Sequence, residues 1–288
     1  MTLIEKLTEV RFHEPAAVRR ALAERPRGTL PQGDAKLMVI ACDHPARGAL
    51  GAGSDPMAMA SREEVLARCV EALTRPGVNG FLGSADIIED LALLGVLDHK
   101  MVWGTMNRVG LQGSSFEMDD RFNCYDARGI EDAGLDGGKM LLRINYDDAG
   151  TASTLTSSAL AVDDLADRGL TAMVEPFISA RTDGRIVNDL TPDAVIRSMA
   201  IASALGRTSA YTWLKLPCVD EMERVMEATT LPSLILGGEV PDDPEAALSG
   251  WATALTLPNV RGLVIGRSLL FPPDGDVGGA VDRAVALL

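Results

Sequence analysis

Lysine, histidine, cysteine and aromatic side chains are all scarce in this 288-residue chain. Only five of its 27 lysines and arginines are lysines, histidine occurs three times, and aromatics make up 4% of the sequence. The three histidines, His13, His44 and His99, are scattered, which argues against a histidine-rich catalytic metal centre. The four cysteines, Cys42, Cys69, Cys124 and Cys218, form no C-x-x-C pair. Reduced thiols and a cytoplasmic location are therefore expected. Long apolar runs are missing, and the charged, amphipathic N-terminus has no signal-peptide apolar region, so neither a membrane span nor a secretory leader is expected. Positive charge is in deficit as well. A net charge of −14 disfavours nucleic acid and anionic membrane as partners, though it leaves room for a local basic pocket. With few aromatics available, small aliphatic side chains must fill most of the core.

Strand-like and helix-like segments alternate from about residue 36 onward. The strands are predicted at Leu37–Cys42, Gly80–Ser84, Met101–Thr105, Lys139–Asn145, Thr171–Phe177, Tyr211–Leu216, Ser233–Gly238 and Arg261–Gly266. Helical patterns lie between them, several with start signals: Ser61 precedes Glu63-Glu64, and Thr191-Pro192 places proline at a first helical position. Strict alternation implies a parallel sheet covered by helices. Eight such units in about 250 residues match a closed (β/α)₈ TIM barrel over residues 36–288, with a doubly wound open sheet as the alternative. Residues 1–35 read as an N-terminal helical extension that packs on the barrel's outside or closes its N-terminal face. The stretch Met106–Tyr125 after the third strand has the length of a functional loop.

Lys215 lies in the apolar run Tyr211-Thr-Trp-Leu-Lys-Leu-Pro217. A lysine in a buried strand loses hydration, its pKa falls, and its neutral amine can attack a carbonyl. The plain alternative is a strand-end lysine whose head reaches water. The two-residue period of the strands decides which neighbours share its side. Trp213 and Lys215 of the sixth strand, Glu175 of the fifth, Arg143 and Asn145 of the fourth, and Asp43 at the end of the first all fall on the inward parity. Asp43, Arg143, Glu175 and Lys215 are thereby expected to form one charged cluster at the barrel mouth, because an isolated buried charge is costly. Lys36 and Lys139 begin their predicted strands and are expected at the opposite face. The seventh strand ends in Gly237-Gly238 and the eighth in Gly266-Arg267. Glycine lets backbone N–H groups approach an anion, and arginine adds a forked donor, so these ends are expected to bind phosphate.

On these residues the chain resembles the class I, Schiff-base-forming aldolases of the (β/α)₈ fold. The carriers are Asp43, Glu175 in Met-Val-Glu-Pro, Lys215 in Trp-Leu-Lys-Leu, Gly237-Gly238 and Gly266-Arg267. Within that group it is similar to tagatose-bisphosphate and deoxyribose-phosphate aldolases, and to actinobacterial barrel proteins associated with inositol breakdown. The resemblance implies Lys215 as the imine former, a carboxylate as proton shuttle, a phosphorylated keto sugar or keto sugar acid as substrate, and no cofactor. Many such aldolases carry an inward lysine on the fourth strand, where this chain offers Arg143. In the same scheme Arg143 depresses the Lys215 pKa, Glu175 moves protons, and Asp43 or Tyr146 takes the proton from the hydroxyl beside the cleaved bond. Expected partners are the small phosphorylated substrate and, as a homo-oligomer, further copies of the chain. The rival readings are a barrel isomerase or epimerase using the lysine as a base, and a non-catalytic sugar-phosphate sensor.

Overall fold

The computed structural model describes residues 1–240 and 243–288. Eight parallel strands close into a barrel: β1 (Leu37–Cys42), β2 (Gly80–Gly83), β3 (Met101–Thr105), β4 (Gly137–Ile144), β5 (Thr171–Thr182), β7 (Thr212–Pro217), β8 (Ser233–Leu236) and β9 (Val260–Ile265). Pairing of β4 with β5 completes the ring, and β1 is hydrogen-bonded to both β2 and β9. The protein is thus a (β/α)₈ barrel rather than an open doubly wound sheet.

One strand lies outside that count. β6 (Arg185–Asp189) pairs antiparallel with the upper half of β5, which runs well past its predicted end. Asp183 and Gly184 join them with φ of 50° and 77°. Two consecutive positive φ values fit the primed hairpin turn that Asp-Gly favours.

Several helices start where a side chain satisfies a free backbone N–H group. The Ser61 hydroxyl accepts from Glu64 N at 3.2 Å to cap α3 (Arg62–Thr74), and Thr191 Oγ1 accepts from Ala194 N at 3.4 Å to cap α7 (Pro192–Ser203). Before the barrel, α1 (Leu3–His13) carries a capping box between Thr2 and Glu5. Arg11 of α1 pairs with Glu89 and Asp90 of α4 (Ala85–Leu93), and the Leu3 and Ile4 N–H groups bond Glu63 of α3. Past α2 (Ala16–Glu24), the Arg25 guanidinium donates to the carbonyls of Leu97, Lys100 and Gly134. The two leading helices therefore pack on the outside of the barrel. The segment after them passes beneath its N-terminal face, where Leu30, Pro31 and Ala35 line a cavity of 930 Å³ with Leu37 and Trp213.

The strands alternate as the sequence predicts. Met38, Ile40, Met140, Leu142, Ala172, Val174, Leu214 and Leu216 join the core between strands and helices. Val39, Ala41, Leu82, Trp103, Met173, Leu234 and Val264 fill the barrel itself. Trp213 packs at a tilt of 46° against Trp103, ring centres 5.7 Å apart, and the Trp103 indole N–H donates to Thr171 Oγ1 at 2.7 Å. The lower barrel is apolar, and the charged residues sit above it.

Candidate active site

Register places the charged side chains in rows. Leu141 of β4 pairs with Glu175 of β5, and Val174 pairs with Leu214 of β7, so Glu175 and Lys215 stand side by side. The Lys215 amine, on a residue 4% exposed, donates to Glu175 Oε1 at 2.6 Å. The expectation for Lys139 is overturned. Strand β4 begins at Gly137, which lifts Lys139 off the barrel floor into the row of Met173 and Trp213. Its four-carbon stem rises one row, so that Nζ lies 2.5 Å from Glu175 Oε2 and 3.2 Å from Asp43 Oδ2. Glu175 thus bridges two buried amines, and Lys139 links it to Asp43.

Arg143 faces inward one row higher, opposite Phe177, but Asp120 occupies it. Its guanidinium contacts Asp120 Oδ1 at 2.6 Å and also donates to the Glu117 carbonyl, while its backbone N–H donates to Asp120 Oδ2 at 2.9 Å. This corrects the expected cluster: Lys139, not Arg143, joins Asp43, Glu175 and Lys215. Arg143 instead anchors the loop after β3. The cation that takes the expected place of Arg143 is Arg108, which comes from that loop and pairs with Asp43 at the centre of the mouth. Asn107 holds the loop from below, donating to the Asp120 and Leu141 carbonyls and accepting from Leu141 N. Tyr146 lies two residues past the end of β4, where Asn145 and Thr151 turn the chain, and is 64% exposed. It stands outside the cluster.

The electrostatics follow from burial and crowding. Burial lowers the Lys215 pKa, Arg108 and Arg267 lower it further, and Glu175 opposes them. Lys139 is pushed well below the ordinary lysine range by burial and then by Arg108 and Lys215. Burial alone would raise the Glu175 pKa, but Lys139 and Lys215 outweigh it and hold the carboxyl well below the usual range. His44, next to Asp43, is kept neutral by burial and by surrounding cations, Arg267 and Lys215 foremost. Its Nδ1 is 3.9 Å from Asp43 Oδ1, too far for a hydrogen bond.

The ends of β8 and β9 meet as expected, since Leu236 pairs with Val264. Gly238 has φ +69° and open space where a side chain would project. A Cβ on Gly266 would lie 2.6 Å from the Ala41 carbonyl oxygen, so only glycine fits there. Arg267 is mostly buried, and its Nε has no partner among the described residues. The same holds for Nη1 of Arg47, in the short 3₁₀ turn Pro45–Arg47 after β1. Around the mouth the basic side chains of Arg47, Arg108, Lys139, Lys215 and Arg267 stand among the carboxylates of Asp43, Glu117, Asp120, Glu175 and Glu239. No group of three or more His, Cys, Asp or Glu side chains able to hold a metal occurs among the described residues. No described helix is long and apolar enough to cross a membrane.

Residues 35–285 match the model of one protein family. The chain belongs to the Cgl0159-like family. The crystal structure of Cgl0159 from Corynebacterium glutamicum shares 54% sequence identity over 99% of this chain and 96% of that one, with a TM-score of 0.96. More distant members of the fold include a Schiff-base-forming fructose-1,6-bisphosphate aldolase, at 18% identity and TM-score 0.64 over 93% of this chain and 98% of that one. An archaeal fructose 1,6-bisphosphate aldolase is similar at 16% identity and TM-score 0.66, over 94% and 98%. No curated protein matches. At such identities the aldolases share the barrel with this Cgl0159-like chain, and its chemistry has to be argued from its own residues.

Proposed function

We propose that this Cgl0159-like protein is a class I aldolase that cleaves a phosphorylated keto sugar or keto sugar acid through an imine on Lys215. The observation that carries this reading is the Lys215 amine, buried at the C-terminal end of its strand and 2.6 Å from a carboxylate that a second amine also holds. The barrel of Schiff-base-forming aldolases agrees with it.

The chemistry runs as follows. The neutral Lys215 amine attacks the substrate ketone, and its proton passes through Glu175 to the former carbonyl oxygen. The carbinolamine expels that oxygen as water, with Glu175 again relaying the proton. The iminium draws the electron pair of the breaking carbon–carbon bond toward nitrogen, while a base removes the proton of the hydroxyl on the departing carbon. Of Asp43 and Tyr146, Asp43 has the supporting position, within the cluster. The enamine left on Lys215 takes up a proton, and water then hydrolyses the imine. Lys139 and Arg108 keep Asp43 and Glu175 oriented and offer positive charge to developing oxyanions. The guanidinium nitrogens of Arg47 and Arg267 that lack partners among the described residues suit an anionic substrate. The glycine-bearing ends Gly237-Gly238 and Gly266, with Arg267 beside them, are where its phosphate is proposed to sit.

Borohydride reduction in the presence of a panel of ketose phosphates tests the proposal. A stable adduct should map to the peptide carrying Lys215, and Lys215→Arg should lose both the adduct and nearly all turnover. A lysine acting as a base in an isomerase, or a sugar-phosphate sensor, would give no adduct. An arginine variant that turns over at close to the parental rate would sink the proposal.

A further inference from the structure

We propose that β6 is a self-pairing edge through which two copies of this chain join, antiparallel and centred on Val187. The strand is the last in its sheet, and no described strand covers its outer edge. Such an open edge is a template for another chain, and proteins normally shield it. Here it is short but bare. Val187 is 50% exposed, and Leu190, one residue beyond the strand, is 51% exposed.

The hairpin dictates which backbone groups are free. A two-residue turn closes on a residue pair that exchanges both hydrogen bonds, here Thr182 with Arg185. Alternation then turns the N–H and C=O groups of Arg185, Val187 and Asp189 toward β5. Those of Ile186 and Asn188 point outward. An antiparallel copy centred on Val187 places Ile186 opposite the partner copy's Asn188 and Asn188 opposite its Ile186, so all outward groups are bonded.

Other centres on this edge also satisfy the backbone, and charge selects between them. About Val187, Arg185 of each copy faces Asp189 of the other, so a twofold axis creates two complementary pairs with Val187 against Val187 between them. Arg185 and Asp189 are both exposed, and neither joins an ion pair among the described residues. The strand Arg-Ile-Val-Asn-Asp is self-complementary in charge in this register. A five-residue ribbon is small for a stable interface, and two further exposed apolar residues adjoin it. Leu190 follows by chain, and Phe116, 48% exposed, lies on the loop that Arg181 holds to the hairpin through the Ser115 carbonyl at 3.0 Å. The dimer is expected to dissociate on dilution.

Sedimentation velocity over a range of concentrations tests this. The parental chain should be dimeric at high concentration. Arg185→Glu and Asp189→Arg should each raise the dissociation constant about tenfold or more, because like charges then face each other twice. An equimolar mixture of the two variants should regain the dimer, since each altered position then meets its complement. In a Cys124→Ser background, which removes an exposed thiol, Val187→Cys should close into a covalent dimer on mild oxidation. A parental chain that stays monomeric, single variants that remain fully dimeric, or folded single variants whose mixture does not associate would each overturn the proposal.

Discussion

Glu175 has one carboxylate and two amines to hold, and this crowding shapes the site. Two protonated lysines on one buried carboxylate repel each other, so one readily gives up its proton. Because imine formation needs the neutral amine, the rate of cyanoborohydride trapping at Lys215 should rise with pH along a limb lying below the ordinary lysine value of 10.5. Glu175 is the neighbour that raises the Lys215 pKa. In Glu175→Gln that support is gone, and the limb should move to lower pH. Turnover should nevertheless fall about 10²–10⁴-fold, the usual loss for a missing proton relay. A limb that moves upward in this variant would mean that the carboxylate does not control the amine.

At the scale of elements, the loop between β3 and α5 (Ala127–Asp132) does more for the site than any single strand. It delivers Arg108 to Asp43, and its position rests on Arg143–Asp120 and on Asn107. Both partners of the Arg143–Asp120 pair are almost fully buried. Removing one leaves an unpaired buried charge, which costs about 3–5 kcal/mol. Asp120→Ala should therefore lower stability by that order in urea unfolding. It should also impair turnover in the fraction still folded, because Arg108 loses its anchorage. If stability falls while turnover per folded molecule stays at the parental value, the loop supports the fold alone. Sequence reading finds this loop by its length and its polar residues. The partner of each residue is not readable there, because Asp120 and Arg143 lie 23 positions apart in separate elements.

At the scale of the whole molecule, the barrel carries an apolar floor, a charged mouth and an outer brace. The brace is the N-terminal pair of helices, which bury Leu7 and Leu22 and lead to the three carbonyl bonds of Arg25. Each buried leucine contributes about 1.5–3 kcal/mol. A chain lacking residues 1–25 should unfold at clearly lower urea concentration, by about 3 kcal/mol or more. The carbonyls that Arg25 holds precede β3 and β4, at the face opposite the mouth, so any folded fraction should still form the borohydride adduct. Equal stability of the shortened chain would show that the extension is not a brace.

The sequence by itself determined the eight strands of the barrel, their parity and the inward positions of Asp43, Glu175 and Lys215. These follow from alternation with a period of two, a local property that any buried strand must obey. It also held the signal for the missed hairpin, since Asp183-Gly184 separates two strand-like runs. Lys139 was legible in part: it shares the parity of Arg143, and only the starting residue of β4 hid its height in the barrel. Tertiary structure alone decided the rest. Barrel closure brings Asp43 of the first strand's end to Lys139 of the fourth, and a lysine stem spans a full row to reach Glu175. Arg108 enters from a loop, where parity has no meaning, and Tyr146 leaves the interior because the strand has ended before it. Alternation fixes the side of the sheet on which a residue lies; the height it reaches and the charge it meets depend on how strands and loops distant in sequence are brought together.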